Sequence, residues 1–253
     1  DLGAEKFLDI KCQSAGIAPK AIVLTATIRA LKYHGGVDLK SLTEPNVEAL
    51  KRGLPNLEKH LENVLQFGIT PVIAINRFLS DSLEEIEVIK EFAKSKGIRV
   101  ALAEVWAKGG KGALELAQHV IEIVEEDSSN FKPLYDWNTD VETKIKTIAT
   151  KIYGADDVEY STKARRTLRI ISELGLENLP VCIAKTQKSL SDNPKLLGRP
   201  SGFIVNIREI EIAAGAGFLV PIAGDIMRMP GLPAHPASEN IDIDNDGNIT
   251  GLF

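Results

Sequence analysis

Cysteine and tryptophan are scarce in this chain, with two of each in 253 residues. Cys12 and Cys182 are too few and too far apart in sequence for a disulfide framework or a CxxC zinc pattern, so a reducing cytoplasm is the expected compartment. Positive charge is never concentrated either. The formal charge is -5 and the pI near 5.5, and the absence of a dense Lys/Arg block argues against nucleic acid as a partner. Long apolar runs are missing: AIVLTA and FLVPIAG fall far short of the roughly 20 residues a membrane-spanning helix needs, so no membrane partner is expected. A G-x-x-x-x-G-K-[ST] phosphate loop occurs nowhere in the chain. The first residues, DLGAEKFLDIKC, carry no initiator Met, signal-peptide h-region or Arg-rich transit pattern, and read as the middle of something longer.

What is present is a globular composition, 44% hydrophobic and 26% charged, enough to bury a substantial core. Between residues 21 and 126, short β-rich runs alternate with longer amphipathic ones, as expected when crossover helices join parallel strands. The expected strands are AIVLTAT (21–27), PVIAIN (71–76) and RVALAEV (99–105), apolar almost throughout, as strands covered on both faces are. NLEKHLENVLQFG puts Leu57, Leu61, Val64 and Leu65 on one helical face, opposite a charged one, with Asn56 as N-cap and Gly68 as C-cap. DSLEEIEVIKEFAKSKG has Ser and Asp caps, an acidic first turn, a lysine-rich last turn and Gly97 as stop, a second helix.

The polar connector EDSSNFKP marks a soft boundary, giving an α/β ligand-binding part over 1–127 and a mixed α+β domain over 131–253. Helices are expected at 139–153 and 162–174, and strands at PVCIA, GFIVNIREIEI and GFLVPIAG. The Pro-, Asn-, Asp- and Gly-rich tail from MPGLP onward reads as a long surface or binding loop.

In open α/β sheets, ligands sit beyond the carboxyl ends of the strands. Phe78 directly follows PVIAIN and Trp106 directly follows RVALAEV. Two readings stand side by side: the rings clamp a planar heterocycle, or they cap the end of the sheet. The glycines of AKGGKG permit close backbone approach. NRF resembles half of a GTPase base-reading motif, with Leu79 at its fourth position and Asp81 as the nearest carboxylate. Arg29, Lys32 and His34 in ATIRALKYHGG form either an anion-facing cluster or a solvated helical turn. His60 and His119 are expected at the surface. DIDNDGNITGLF has Asp242, Asp244, Asp246 and Gly247 at calcium-loop spacing, yet Phe253 stands where the bidentate Glu belongs, so calcium binding is not expected. AAGAGF, containing Gly215 and Gly217, reads as a tight strand connection.

Taken together, DLGAEKF, ATIRALKYHGG, NLEKHLEN, PVIAINRF, AEVWAKGGKG, IYGAD, AKTQKSLSDNPKLLGRP, AGAGF and MPGLP resemble the formate–tetrahydrofolate ligase family in order and nearly end to end. The resemblance implies an α/β fold with a mostly parallel sheet and flanking helices, like half of a P-loop NTPase without its P-loop, followed by the smaller α+β domain. It implies a ligase in which formate attacks the γ-phosphate of ATP, with magnesium on the nucleotide, and N10 of tetrahydrofolate captures the formyl phosphate. An activating monovalent cation is part of the same implication. Phe78 and Trp106 match the aromatics that flank the pterin ring, with Leu102 beside them; Leu79 departs from a frequent Pro. DLGAEKF matches the end of a motif near the adenine.

The resemblance further implies that the phosphate loop and the basic residues that handle formyl phosphate belong to an N-terminal half outside this sequence. Catalytic residues proper are therefore unassigned, and that half, in the same or a separate chain, is an expected partner together with the small-molecule substrates. The complete enzyme is expected to be a homotetramer, and this chain alone to be inactive. The rival readings are a folate- or nucleotide-binding assembly subunit without turnover, and an interaction subunit whose rings meet a protein.

Overall fold

A computed structural model describes residues 2–226, 234–247 and 249–251. The chain opens with α1 (Leu2–Lys6), a π-helical stretch (Phe7–Cys12) and α2 (Gln13–Ala15). Then come β1 (Ala21–Ala26), α3 (Ile28–His34), α4 (Val47–Gln66), β2 (Thr70–Asn76), α5 (Leu83–Ser95) and β3 (Arg99–Ala103). These are followed by α6 (Val105–Lys108), a 3-10 turn (Gly109–Ala113), α7 (Leu114–Glu126), α8 (Val141–Ile148) and a second π-helical stretch (Ala149–Tyr153). The remaining elements are β4 (Asp157–Tyr160), α9 (Thr162–Glu173), β5 (Ile204–Ala213), β6 (Phe218–Ala223), β7 (Asp242–Ile243) and β8 (Ile249–Thr250).

The fold is α/β. β1, β2 and β3 form a parallel sheet in that order, with Ile75 beside Leu102 and Asn76 beside Ala103. The central strand β2 is the most deeply buried, with Val72, Ile73 and Ile75 at zero exposure, and this accounts for its unbroken apolar run. The second sheet is mixed: β4 runs parallel to β5 and β6 antiparallel to it. AAGAGF supplies the tight turn between β5 and β6, where Gly217 N–H donates to Ala213 O.

Local signals account for much of this. α5 starts with a complete capping box between Ser82 and Glu85, satisfying two otherwise unpaired N–H groups, and Gly97 ends it at φ 67°. α4 departs from expectation. It begins at Val47 with Asn46 as its N-cap and carries Pro55 in its interior, so Asn56 is a buried mid-helix residue. Leu57, Leu61 and Val64 are buried, but Leu65 is 48% exposed. Gly53 explains how closely α4 lies on α3, since a Cβ there would stand 2.0 Å from Leu31 O.

PVCIA is not a regular strand. Val181 and Ala184 make single bridges to Leu219 and Ile222 of β6, because Pro221 in β6 has no N–H to continue the ladder. The strand β4 is not apparent from the pattern of DVEY. RVALAEV stops being strand at Ala103, so Trp106 lies on the short helix α6.

Two apolar cores organise the chain. One gathers Ile28, Leu31, Leu50, Leu57, Ile73, Ile75, Ile86 and Ile89 around the parallel sheet. The other joins Leu8, Cys12, Phe67 and Ile69 to residues spread from Tyr135 to Ala223. The connector is tied back to the turn between α4 and β2: Asn130 N–H donates to Gly68 O at 2.7 Å and Lys132 N–H to Phe67 O at 2.9 Å. The tail beyond residue 234 is more ordered than a plain loop, since β7 and β8 pair antiparallel. MPGLP, Asn248 and Phe253 lie outside the described residues.

Candidate functional site

Phe78 and Trp106 emerge at the carboxyl ends of the adjacent parallel strands β2 and β3, where loops of an open sheet converge. Trp106 is 58% exposed, yet its indole N–H donates to Arg77 O at 2.9 Å. The ring is therefore held in place while its faces stay accessible. Phe78 is half-buried, and the guanidinium of Arg29 lies 4.3 Å from its ring centroid, a cation–π contact that covers one face. Arg29 also donates to Ser80 Oγ at 3.2 Å. Among the described residues the only ring–ring pair is Tyr33 with His34; Phe78 and Trp106 do not stack on each other. Leu102, half-buried on β3, packs against the first core.

Asp81 holds the turn that carries Phe78. Its Oδ2 accepts from Phe78 N–H at 2.8 Å, and its own N–H donates to Phe78 O at 3.1 Å. Burial pushes its carboxyl up, opposed by that Phe78 bond. The carboxylate nearest NRF is thus occupied in closing a turn.

The cluster Arg29, Lys32 and His34 is divided among three tasks. Arg29 serves the Phe78 ring. Lys32 is neither solvated nor open to a ligand anion: with zero exposure it pairs with Glu85 Oε1 at 3.0 Å and donates to Glu44 O at 2.7 Å. His34 Nδ1 accepts from Gly198 N–H at 3.0 Å, so in its neutral form Nε2 carries the proton.

His34 also lines a cavity of about 280 Å³ with Gly3, Asn56, His60, Gln187, Ser189 and Leu190. A neighbouring cavity of about 230 Å³ shares His34, Asn56 and His60 and reaches Leu24, Thr25 and Ala26 at the carboxyl end of β1. His60 is consequently half-buried in a cavity wall and not on the open surface, and burial pushes its pKa down to about 4. His119 is partly covered and faces Glu122 Oε2 at 3.3 Å. The loop closing the larger cavity is organised by Lys185, whose buried ammonium donates to the carbonyls of Thr186, Ser189 and Ser191 and is pushed down to about 7 by burial.

The residues missed by sequence reasoning are Arg77 and Glu104, linked at 2.8 Å, and the Arg29–Phe78 contact. Each is a side-chain contact between loops that adjacent strands bring together, and the local pattern carries no signal for which side chains meet there. Among the described residues no group of three or more His, Cys, Asp or Glu could hold a metal ion, and no helix is long and apolar enough to cross a membrane. In the Asp-rich tail, Asp244 Oδ1 accepts from Asp246 N–H at 2.9 Å, making a turn between β7 and β8. A family model described as formate--tetrahydrofolate ligase matches residues 1–253.

Proposed function

The chain belongs to the formate–tetrahydrofolate ligase family, and from that premise we propose that Phe78 and Trp106 hold the pterin ring of tetrahydrofolate between them, with Leu102 beside it. The observation that carries this reading is Trp106, a large apolar ring exposed to solvent and yet fixed by a hydrogen bond from its indole N–H. Exposure of such a ring costs burial free energy, about 25 cal/mol per Å², and a flat ligand recovers it. With Arg29 over one face of Phe78, the pterin stacks on the other.

The reaction proceeds from formate, MgATP and tetrahydrofolate, all substrates. A formate oxygen attacks the γ-phosphorus, ADP leaves, and the N10 amine attacks the formyl carbon of formyl phosphate, expelling phosphate. This chain's part is orientation: the clamp fixes the pterin and so aims N10. The resemblance puts the adenine near the N-terminal segment. Gly3 of that segment lines the 280 Å³ cavity with His34 and Asn56, so we assign the base to that cavity, beside the smaller one that reaches the carboxyl end of β1. Phosphoryl handling is what the resemblance assigns to a glycine-rich phosphate loop, and no G-x-x-x-x-G-K-[ST] pattern occurs in this sequence. No step is assigned to a metal or monovalent cation bound by this chain.

On this reading 1–127 carries the folate and nucleotide contacts, while 131–253 closes the base cavity through the loop around Lys185. The free thiols Cys12 and Cys182 suit a reducing cytoplasm, and a homotetramer is the assembly we infer from the resemblance.

The test is formate-dependent ADP release by the purified chain, with and without a polypeptide bearing the phosphate loop. Folate-coupled turnover is expected only with both. Turnover by this chain alone would overturn the placement of the ATP phosphates. Folate binding with no turnover in either arm would favour an assembly subunit.

A further inference from the structure

We propose that Arg77 and Glu104 are positioning residues of the folate site, splicing the loop of Phe78 to the helix of Trp106 and so setting the separation of the two rings. The inference rests on the clamp reading above.

Strand pairing between β2 and β3 ends at Asn76 and Ala103, so the sheet itself does not constrain the loops beyond those residues. Arg77 takes over that task with three bonds to three different residues. Its N–H donates to Ala103 O at 3.1 Å, its carbonyl accepts the Trp106 indole N–H at 2.9 Å, and its guanidinium reaches Glu104 Oε1 at 2.8 Å. The residue immediately before Phe78 therefore holds the Trp106 ring.

Glu104 is the matching hub on the other side. Its carboxylate also accepts from Lys108, and these cations hold it below the usual carboxylate range, Lys108 most strongly. Its N–H donates to Gly112 O at 3.0 Å, and its carbonyl accepts from Ala107 and Lys108. A Cβ on Gly112 would lie 2.5 Å from Glu104 O, so a glycine is required for the AKGGKG turn to close on Glu104. The turn thereby packs against Glu104 instead of covering Trp106. A partly exposed ion pair contributes little to folding stability. What this pair controls is the direction of α6, and hence of the Trp106 ring.

The test is made in the full-length ligase with Arg77→Met, Glu104→Gln, the double variant and Arg77→Lys, with Trp106→Ala as the control for the clamp itself. Arg77→Met keeps both backbone bonds and removes the guanidinium. Each single variant is expected to raise the KM for tetrahydrofolate roughly tenfold, the size of losing part of a ring-stacking contact worth about 1–3 kcal/mol. The expected kcat at saturating folate stays within about twofold, the KM values for formate and ATP do not change, and the melting temperature holds. The double variant should be no worse than either single one, as for two halves of one contact, and Arg77→Lys should recover part of the loss. If Trp106→Ala weakens folate while Arg77→Met and Glu104→Gln do not, the splice is wrong and the clamp stands. If Trp106→Ala itself leaves folate unchanged, the clamp reading fails. A parallel rise in all three KM values, or a fall in melting temperature, would make the pair a general structural contact and overturn the proposal.

Discussion

At the carboxyl end of the parallel sheet an indole ring lies in solvent, while along one side of α4 a row of polar side chains lies out of it. Asn56, Lys59 and Asn63 are buried, and they donate to Gly198 O at 2.8 Å, Lys151 O at 2.6 Å and Ile152 O at 3.0 Å. Buried polar groups and exposed large apolar ones are the informative exceptions to the usual distribution. Here they have different causes. The α4 row docks the helix onto backbone that lacks a regular ladder, donating to carbonyls of the second π-helical stretch and of Gly198. Lys144 does the same for the carbonyls of Glu177 and Leu179. Trp106 has its single polar atom satisfied and leaves its ring exposed, an arrangement that serves no partner within the described residues.

This contrast can be broken first at its buried end. Glu85 has zero exposure; it receives Lys32, the Asn46 N–H and the Ser82 N–H and hydroxyl. Replacing Glu85 by Ala strands the Lys32 ammonium and removes half a capping box, so a loss of about 3–5 kcal/mol is expected in urea denaturation. A loss below ~1 kcal/mol would mean that the pair is not a fixed joint between α3 and α5.

His60 sharpens the comparison through pH. Burial, reinforced by nearby positive groups including Lys59 and Lys185, lowers its folded pKa to about 4 from 6.5. Between those values the unfolded chain takes up a proton that the folded one refuses, so stability falls as pH drops through that window, by up to ~3 kcal/mol for this group. Denaturation of His60→Gln at pH 7 and pH 5 should show a smaller pH dependence than the parent; an identical slope would place His60 in solvent.

The smallest effect is expected in the Asp-rich tail. Asp242→Asn and Asp246→Asn should leave melting insensitive to calcium, because the loop sequence ends in Phe253 instead of a bidentate Glu. A calcium-dependent rise in melting temperature that either substitution removes would count against this.

The parts of the molecule that are legible in the sequence are those specified by neighbours in the chain. The three parallel strands follow from their apolar runs, the start of α5 from Ser82 and Glu85, and its end from Gly97. Phe78 and Trp106 can be placed together because adjacent parallel strands put their following loops side by side. The buried polar row cannot: nothing in NLEKHLEN indicates that the carbonyls of Lys151 and Ile152 lie opposite Lys59 and Asn63, so the charged face reads as solvated. Pro55 conceals the true start of α4 for a related reason, since the packing of Gly53 on Leu31 carries the helix through it. Arg77 and Glu104 have no local signature either, as their meeting is fixed only once β2 and β3 pair.

The two tryptophans offer the most direct test of the central claim, because each donates its indole N–H to a carbonyl, Trp106 to Arg77 and Trp137 to Asp9 at 3.0 Å, while their rings differ. Trp137 packs against the second core, and Trp106 against solvent. Tetrahydrofolate affinity by calorimetry and stability by urea denaturation should be measured for Trp106→Ala and Trp137→Ala. A folate clamp predicts that Trp106→Ala weakens folate by about 1–3 kcal/mol, roughly 5- to 150-fold, with stability unchanged. Trp137→Ala should cost about 2–3 kcal/mol of stability, less than a fully buried tryptophan, with folate affinity kept. A folded Trp106→Ala protein that binds tetrahydrofolate as tightly as the parent would contradict the clamp.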